Sequence, residues 1–144
     1  MTEPRQLRLF GGKNQRGRQA PPPLEFAVHC QLADTLRWWA SPNWVWCHYP
    51  AGEYREDATG ARLKRMGVRA GVSDFLLFPP LGVPEPRCHF LELKRRGKKL
   101  NGPQAEFALW ARLNKYPFEV ADTYEKAVAI LKGWGALRTG VKVQ

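Results

Sequence analysis

The sequence reads GVSDFLLF over residues 71–78 and HFLELK over residues 89–94, and its architecture follows most directly from these two runs. Both runs are rich in strand-forming residues, and glycine and proline bound them, with Gly71 opening the first and Pro79 following it. A short, turn-rich connection joins them. Strands that follow each other in this way usually pair in space. The two runs therefore predict an antiparallel hairpin.

Three charged residues interrupt these apolar strands. Asp74 begins the first strand and Glu92 lies near the end of the second, so antiparallel pairing places both carboxylates at the same end of the sheet. Side chains two residues apart share a face, so Lys94 points the same way as Glu92. Aspartate is depleted in strands, and a charge among apolar residues needs a compensating partner. The pattern indicates a functional site, the alternative being a surface ion pair followed by a solvated basic run.

Two carboxylates and an ammonium group are what phosphodiester hydrolysis requires. Mg²⁺ is typically held by one or two carboxylates together with water and phosphate oxygens. A lysine beside the cation can orient or help deprotonate the attacking water, or stabilise the charge of the transition state. Asp74, Glu92 and Lys94 therefore predict a metal-dependent nuclease.

The rest of the chain predicts four helices and two further strands. Helices are expected over 24–39 and 58–66, from Pro103 onward and from Asp122 onward, with strands over 44–49 and 117–121. Together with the hairpin, the order is helix, strand, helix, strand, strand, helix, strand, helix. This order predicts an α/β fold in which helices flank a mixed four-stranded sheet.

Three of these helices have an apolar stripe that we expect to face the core. The stripe of the first helix consists of Phe26, Cys30, Ala33 and Leu36, widened by Val28 and Leu32. The stripes of the last two helices consist of Phe107, Trp110 and Leu113, and of Ala127, Ile130, Leu131 and Trp134. The last helix is expected to open with Asp122 and Glu125 as a capping-box-like pair.

The charge of the chain indicates a polyanionic partner. The 144 residues include 23 Lys+Arg and 13 Asp+Glu, a net charge of +10. Nucleic acid is the commonest partner of such proteins, although ribosome-associated, membrane-surface and merely soluble basic proteins share this charge. Two clusters beside the candidate site could form a phosphate track, the alternative being a solvated face: Arg62, Lys64, Arg65, Arg69, Arg95, Arg96, Lys98 and Lys99.

Composition divides the chain into a domain over residues 24–137 and two tails. Residues 1–23 are basic and poor in core-forming residues, so we expect a disordered arm that lies along a phosphate backbone or serves as a solvated linker. Residues 138–144 form the second tail. No apolar run approaches the roughly 18 residues of a membrane span, and the N-terminus lacks the apolar stretch of a signal peptide, which predicts a cytoplasmic protein without membrane contact.

The cysteines and tryptophans are expected to lie mainly in the core. The chain has three cysteines without CxxC spacing, which predicts reduced and mostly buried thiols: Cys30, Cys47 and Cys88. Four tryptophans lie close together, and one or two of them could instead form a dimer surface: Trp38, Trp39, Trp44 and Trp46.

These motifs resemble a known family. The segment 71–74 with Glu92-Leu93-Lys94 resembles the PD-(D/E)xK nuclease superfamily and, within it, the VRR-NUC family of virus-type replication-repair nucleases. The likeness extends from about Leu24 to Leu137 and includes the basic helix over 61–67 and the Gly-Pro-Gln sequence over 102–104. Ser73 stands where the family commonly has proline.

The resemblance implies a restriction-endonuclease-like core that uses Mg²⁺ or Mn²⁺ to cut DNA. It implies that Asp74, Glu92 and the backbone carbonyl of Leu93 hold the metal, that Gln104 lies beside them, and that Glu25 is a further ligand. The alternative for Gln104 is that it solvates a helix N-terminus. The alternative for Glu25 is that the helix dipole favours a glutamate at this position.

The roles of two histidines and a further glutamate stay open at this stage. His29 follows Glu25 by four residues and so shares its side of the first helix. His48 and Glu53 border the site only if the strand over 44–49 lies next to Asp74.

The substrate also stays open. Stand-alone VRR-NUC members are similar to Holliday-junction resolvases, which implies a homodimer that cuts branched DNA in replication, recombination or repair. A flap, nicking or duplex-cleaving endonuclease is the alternative within the enzyme class. A catalytically silent DNA-binding module is the alternative outside it.

Overall fold

The computed structural model describes residues 24–50 and 57–140. The predicted order of elements is confirmed, with these bounds: α1 Leu24–Trp39, β1 Val45–His48, α2 Asp57–Arg65, β2 Phe75–Phe78, β3 His89–Leu93, α3 Gly102–Leu113, β4 Phe118–Ala121 and α4 Tyr124–Gly133. The predicted arm over 1–23, Glu53 and the last residues of the second tail, 141–144, lie outside the described residues.

The four strands form one mixed sheet in the order β1-β2-β3-β4. β2 pairs with β1 and with β3 in antiparallel fashion, and β3 pairs with β4 in parallel. The predicted hairpin is therefore confirmed, with Phe75 opposite Leu91. Every residue of β3 is buried, because neighbouring strands and helices cover both its edges and both its faces.

Helices cover the sheet on both faces. One buried cluster joins α1 and α4 to the sheet through Leu36, Phe75, Leu91 and Leu131, among others. The second cluster joins α3 to the other face: Phe90, Ala108, Ala111 and Phe118. Because side chains alternate along a strand, Glu92 shares the α3 face with Phe90. The protein is thus an α/β fold with a mixed four-stranded sheet flanked by helices.

The predicted apolar stripes of α1 and α3 are confirmed in part. On α1, Leu32, Ala33 and Leu36 are buried as predicted, whereas Phe26 is 58% exposed and Cys30 is also exposed. On α3 the predicted Phe107 packs against the core, but Trp110 and Leu113 are 47% and 72% exposed. The small residues Ala108 and Ala111 pack on the sheet in their place and allow a close approach of the helix.

The first turn of α4 was also predicted wrongly. The N-cap is Thr123, whose hydroxyl accepts a hydrogen bond from the Lys126 amide at 3.1 Å. Asp122 lies one residue before the cap, where its carboxylate lies 3.9 Å from the Lys126 ammonium. The predicted stripe of α4 does face inward, with Ala127 and Leu131 fully buried.

The prediction of mostly buried thiols was wrong. Cys30 and Cys47 are exposed, and Cys88 is half-buried. Cys47 points outward because β1 is an edge strand whose alternate residues face away from the protein. Burial raises the pKa of the Cys88 thiol to about 11.

The tryptophans divide between core and surface. Trp44 is buried and Trp46 is half-buried against the core, whereas Trp38 is 77% exposed and Trp39 is 46% exposed. In the part of the chain that the structure describes, no helix is both long enough and apolar enough to cross a membrane.

Candidate active site

An open cleft of about 600 Å³ lies at one end of the sheet, where the N-terminal turns of α1 and α3 approach the strands. Residues from both helices, from β1 and from the loop before β2 line it together with the predicted charged residues. The polar and charged lining residues are Glu25, His29, His48, Asp74, Glu92, Lys94, Asn101 and Gln104. The cleft thus contains every side chain predicted for catalysis or metal binding.

The strand register brings the two predicted carboxylates together. Asp74 immediately precedes β2, and its Oδ2 accepts a hydrogen bond from the Leu93 amide at 2.8 Å. This bond anchors Asp74 to the residue that follows Glu92, across the β2–β3 pair. The backbone amide of Leu93 is thus bound to Asp74. A metal-binding role of the Leu93 carbonyl stays a prediction.

Glu92 is the buried acid of the cleft, with only 2% of its surface exposed. Its Oε1 accepts a hydrogen bond from Gln104 Nε2 at 2.6 Å and lies 3.4 Å from Lys94 Nζ. The predicted common direction of Glu92 and Lys94 is therefore confirmed. The contact with Lys94 is itself largely shielded from water, so it differs from the surface ion pair considered as the alternative.

Burial disfavours ionisation of both acids, and one neighbouring negative charge adds to this effect in each case. Burial, followed by the charge of Asp74, raises the pKa of Glu92 to about 8 against the lowering effect of Lys94. Burial also raises the pKa of Asp74, although the Leu93 amide lowers it, and the charge of Glu25 adds to the increase. Both carboxyl groups are therefore harder to ionise than exposed ones, and a cation in the cleft would favour their charged forms.

A capping box at the start of α3 fixes the side chain of Gln104. The backbone amide of Gln104 donates a hydrogen bond to Asn101 Oδ1, and the backbone amide of Asn101 donates one to Gln104 Oε1, both at 3.0 Å. With its oxygen bound to the backbone, Gln104 directs its NH₂ group to Glu92. The sequence indicated Gln104 but missed Asn101, although Asn-Gly-Pro-Gln is itself a capping-box pattern that could have identified it.

Gly71 allows the loop before Asp74 to pack against α3. Its backbone φ is +89°, a conformation that side chains rarely tolerate. A Cβ at this position would overlap the carbonyl of Pro103, one residue before Gln104. The glycine thus lets the loop that leads to Asp74 lie directly against the first turn of the helix that carries Gln104.

Ser73 gives the first testable prediction. Its hydroxyl is fully buried and has no hydrogen-bond partner among the residues that the structure describes. A buried hydroxyl without a partner destabilises a fold, so Ser73→Ala should raise the free energy of unfolding in urea by about 1 kcal/mol. A decrease of that size would show that the hydroxyl has a partner.

Three further residues reach the cleft from α1 and β1. Glu25 and His29 line it from the first turns of α1, as their four-residue spacing suggested. His48 was expected to border the site only if its strand lies next to Asp74. This is the case, because β1 pairs with β2 and His48 lies opposite Phe75. His48 Nδ1 donates a hydrogen bond to the backbone carbonyl of Asp74 at 2.8 Å.

The eight basic residues predicted to contact phosphate are all exposed. The first cluster is on α2 and the loop after it, where Arg69 adjoins the cleft-lining Ala70. The second cluster begins with Arg95, directly after Lys94. Both clusters therefore adjoin the rim of the cleft in sequence, and both are available to solvent.

Glu92 gives the stability of the metal-free protein a pH dependence of known sign. Its pKa is about 8 in the fold and 4.5 ordinarily, so between these values the folded state binds more protons than the unfolded state. The free energy of unfolding should therefore fall as the pH rises from about 4.5 to 8, by at most about 1.4 kcal/mol per pH unit.

The measurement is urea unfolding in EDTA at several pH values across this range. Glu92→Gln should remove most of the slope, whereas Glu119→Gln, which changes an exposed acid on β4, should keep it. Parallel curves for the wild-type protein and Glu92→Gln would contradict the environment described for Glu92.

Comparison of the chain with known protein families, with curated proteins and with solved structures finds no match. A functional assignment therefore depends on the geometry and chemistry of the cleft. The structure brings Asp74, Glu92, Lys94, Gln104 and Glu25 to this one place, from four different segments of the chain.

Proposed function

We propose that this protein is a metal-dependent endodeoxyribonuclease that hydrolyses the phosphodiester bonds of DNA in the cleft. The observation that carries the proposal is the buried Glu92 next to Asp74, in contact with Lys94 and Gln104, in the wall of a cleft that is open to solvent. A restriction-endonuclease-like core and membership of the VRR-NUC family are part of the proposal, because the resemblance rests on these same residues.

The donor set of the cleft fits a hard divalent cation. The charge of Asp74 adds to the burial that raises the pKa of Glu92, and the charge of Glu25 adds to the burial that raises the pKa of Asp74, so a cation between the carboxylates would favour their charged forms. Carboxylate oxygens are the ligands that Mg²⁺ and Mn²⁺ prefer. We assign the metal to Asp74 and Glu92, with the Leu93 carbonyl and Glu25 as further ligands.

The bound metal would supply Lewis acidity toward the phosphate and a lowered pKa for water. Lys94 is held beside Glu92, where its ammonium group can orient the attacking water and offset the charge that develops on the phosphate. Gln104 holds Glu92 in one orientation through a helix cap that does not depend on substrate. Asp74 is held by the Leu93 amide in the same way.

The basic clusters beside the cleft are proposed to bind the DNA backbone. The cluster after Lys94 and the cluster on α2 are exposed, and the net charge of +10 favours a polyanion. Backbone contacts of this kind position the nucleic acid without reading its sequence. We therefore infer selectivity for DNA structure and favour branched DNA as the substrate. A homodimer would engage such DNA, and the exposed Trp38 and Trp39 are proposed to form its dimer surface.

A panel of labelled DNA tests the function and its substrate together. Four-way junctions, flaps, nicked duplexes, single strands and supercoiled plasmid are incubated with Mg²⁺ or Mn²⁺, with EDTA as the control. We expect metal-dependent cleavage with the highest rate on branched DNA. Faster cleavage of flaps or plain duplex would select the alternative endonucleases. Tight DNA binding without cleavage of any substrate would identify a silent binding module.

A further inference from the structure

A second cluster of metal-ligating side chains lies in the cleft, and its two histidines have no part in the function proposed above. His29 comes from α1, His48 from the end of β1 and Asp74 from the loop before β2. One potential ligand atom from each of the three lies within 4.8 Å of the other two. All three residues are half-buried and line the cleft.

Contacts with aromatic rings and with one backbone carbonyl orient the two histidine rings. His29 stacks on Phe75 with a ring separation of 4.5 Å and meets the ring of His48 edge-on at 4.2 Å. The carbonyl of Asp74 can only accept, so His48 Nδ1 carries the proton and Nε2 of the neutral ring carries the lone pair. A backbone carbonyl bound to the other ring nitrogen is the usual support of a metal-binding histidine.

The donor set differs in kind from the carboxylate pair. Imidazole nitrogen is a ligand for first-row transition metals, whereas Mg²⁺ and Ca²⁺ prefer oxygen. Two histidines with one carboxylate are a set of ligands that such metals use while leaving other positions open. The third histidine of the chain, His89, is buried elsewhere in the fold, with its Nδ1 bonded to the Arg87 carbonyl.

We propose that His29, His48 and Asp74 form a binding site for a divalent first-row transition-metal ion, separate from the Asp74–Glu92 position for Mg²⁺ or Mn²⁺. The two positions share Asp74, which faces both sets of ligands. The site does not depend on phosphodiester chemistry, because its ligands and their supports are complete without Glu92 or Lys94.

Calorimetric titration of the purified protein with Co²⁺, alone and in excess Mg²⁺, tests the proposal. His29→Phe removes the nitrogen and keeps a ring on Phe75, and His48→Asn keeps a donor toward the Asp74 carbonyl. Each should weaken Co²⁺ binding at least about tenfold, the smallest loss usual even for a supporting residue of a metal site. Because the two positions share only Asp74, excess Mg²⁺ should weaken Co²⁺ binding only in part.

Two controls separate the site from its surroundings. Glu119→Gln, which changes an exposed acid on β4, should keep the Co²⁺ affinity. The double variant Cys30→Ser/Cys47→Ser removes the exposed thiols that adjoin the two histidines in sequence, and it should also keep the affinity. Unchanged Co²⁺ binding in either histidine variant overturns the proposal. Loss of Co²⁺ binding in either control also overturns it, as does binding of Mg²⁺ to the same site with an affinity equal to that of Co²⁺.

A measurement on the wild-type protein covers the case in which a variant fails to fold. In proton NMR spectra, paramagnetic Co²⁺ should shift the ring signals of His29 and His48 far more than those of His89. Equal effects on all three rings would overturn the proposal. Co²⁺ binding at the histidines without any DNA cleavage would contradict the proposed nuclease function alone, and metal-dependent cleavage without such binding would contradict this inference alone.

Discussion

Replacement of Lys94 by alanine is expected to slow DNA cleavage at least about a hundredfold, the usual scale for losing one group that acts in the transition state. Lys94 Nζ lies 3.4 Å from Glu92 Oε1, inside the cleft and beside the proposed metal position. An interaction made mainly in the transition state lowers turnover without weakening the ground-state complex. Single-turnover rates at saturating DNA measure the first effect, and DNA affinity in Ca²⁺ measures the second.

Arg96→Ala is the matched control for this prediction. Arg96 lies two residues further along the same basic segment and is exposed. Its loss should weaken DNA binding and flatten the dependence of affinity on salt, while the rate at saturation stays near that of the wild type. If Lys94→Ala cleaves saturating DNA at the wild-type rate, Lys94 has no catalytic role.

Asp74→Asn is expected to abolish both the stabilisation of the protein by Mg²⁺ and its cleavage of DNA. Asparagine keeps an oxygen that can accept the Leu93 amide hydrogen bond, so the fold should persist. It loses the negative charge on which binding of a hard cation depends. A ligand that binds only the folded state raises the melting temperature, so the wild-type increase in Mg²⁺ should disappear in this variant.

Asp34→Asn makes the same chemical change at an exposed position on α1 and serves as its control. The control should keep both the Mg²⁺-dependent increase in melting temperature and the cleavage activity. An undiminished increase in Asp74→Asn would remove Asp74 from the metal site. A fall in melting temperature without metal would instead show that the carboxylate is needed for folding.

The sheet and the position of its charged residues could be predicted because strand geometry is local. Alternation along β3 places Glu92 and Lys94 on one face, and antiparallel pairing brings Asp74 to the same end. These inferences require only the bounds of two strands. For the same reason the meeting of these charged residues at one end of the sheet could be predicted before any helix was positioned.

Helix faces were harder to predict because hydrophobicity does not determine which side of a helix faces the sheet. Trp110 and Leu113 are more apolar than Ala108 and Ala111, yet the alanines are buried because the helix lies close to the sheet. Cys30 was misplaced for a similar reason. The side of α1 that meets the core was assigned from spacing alone, and several apolar residues fitted it.

The contribution of His48 could not be predicted because it depends on which strands are neighbours. Its ring meets Asp74 only because β1 pairs with β2, and the sequence left that pairing open. Gln104 was indicated by the resemblance, but the reason for its fixed orientation is the cap that Asn101 completes. Long-range strand order and a short-range cap thus account for most of what the motifs alone did not reveal.

The most direct test of the proposed function is parallel cleavage of a labelled four-way junction by the wild-type protein, Asp74→Asn and Lys94→Ala, each in Mg²⁺, Mn²⁺ and EDTA. All three proteins are purified by the same procedure, so that a contaminating nuclease would cut equally in each preparation. We predict strand scission by the wild-type protein in the two metals only, and a loss of at least about a hundredfold in both variants. Equal cleavage by all three proteins, or cleavage in EDTA, would contradict the assignment of the chemistry to this cleft.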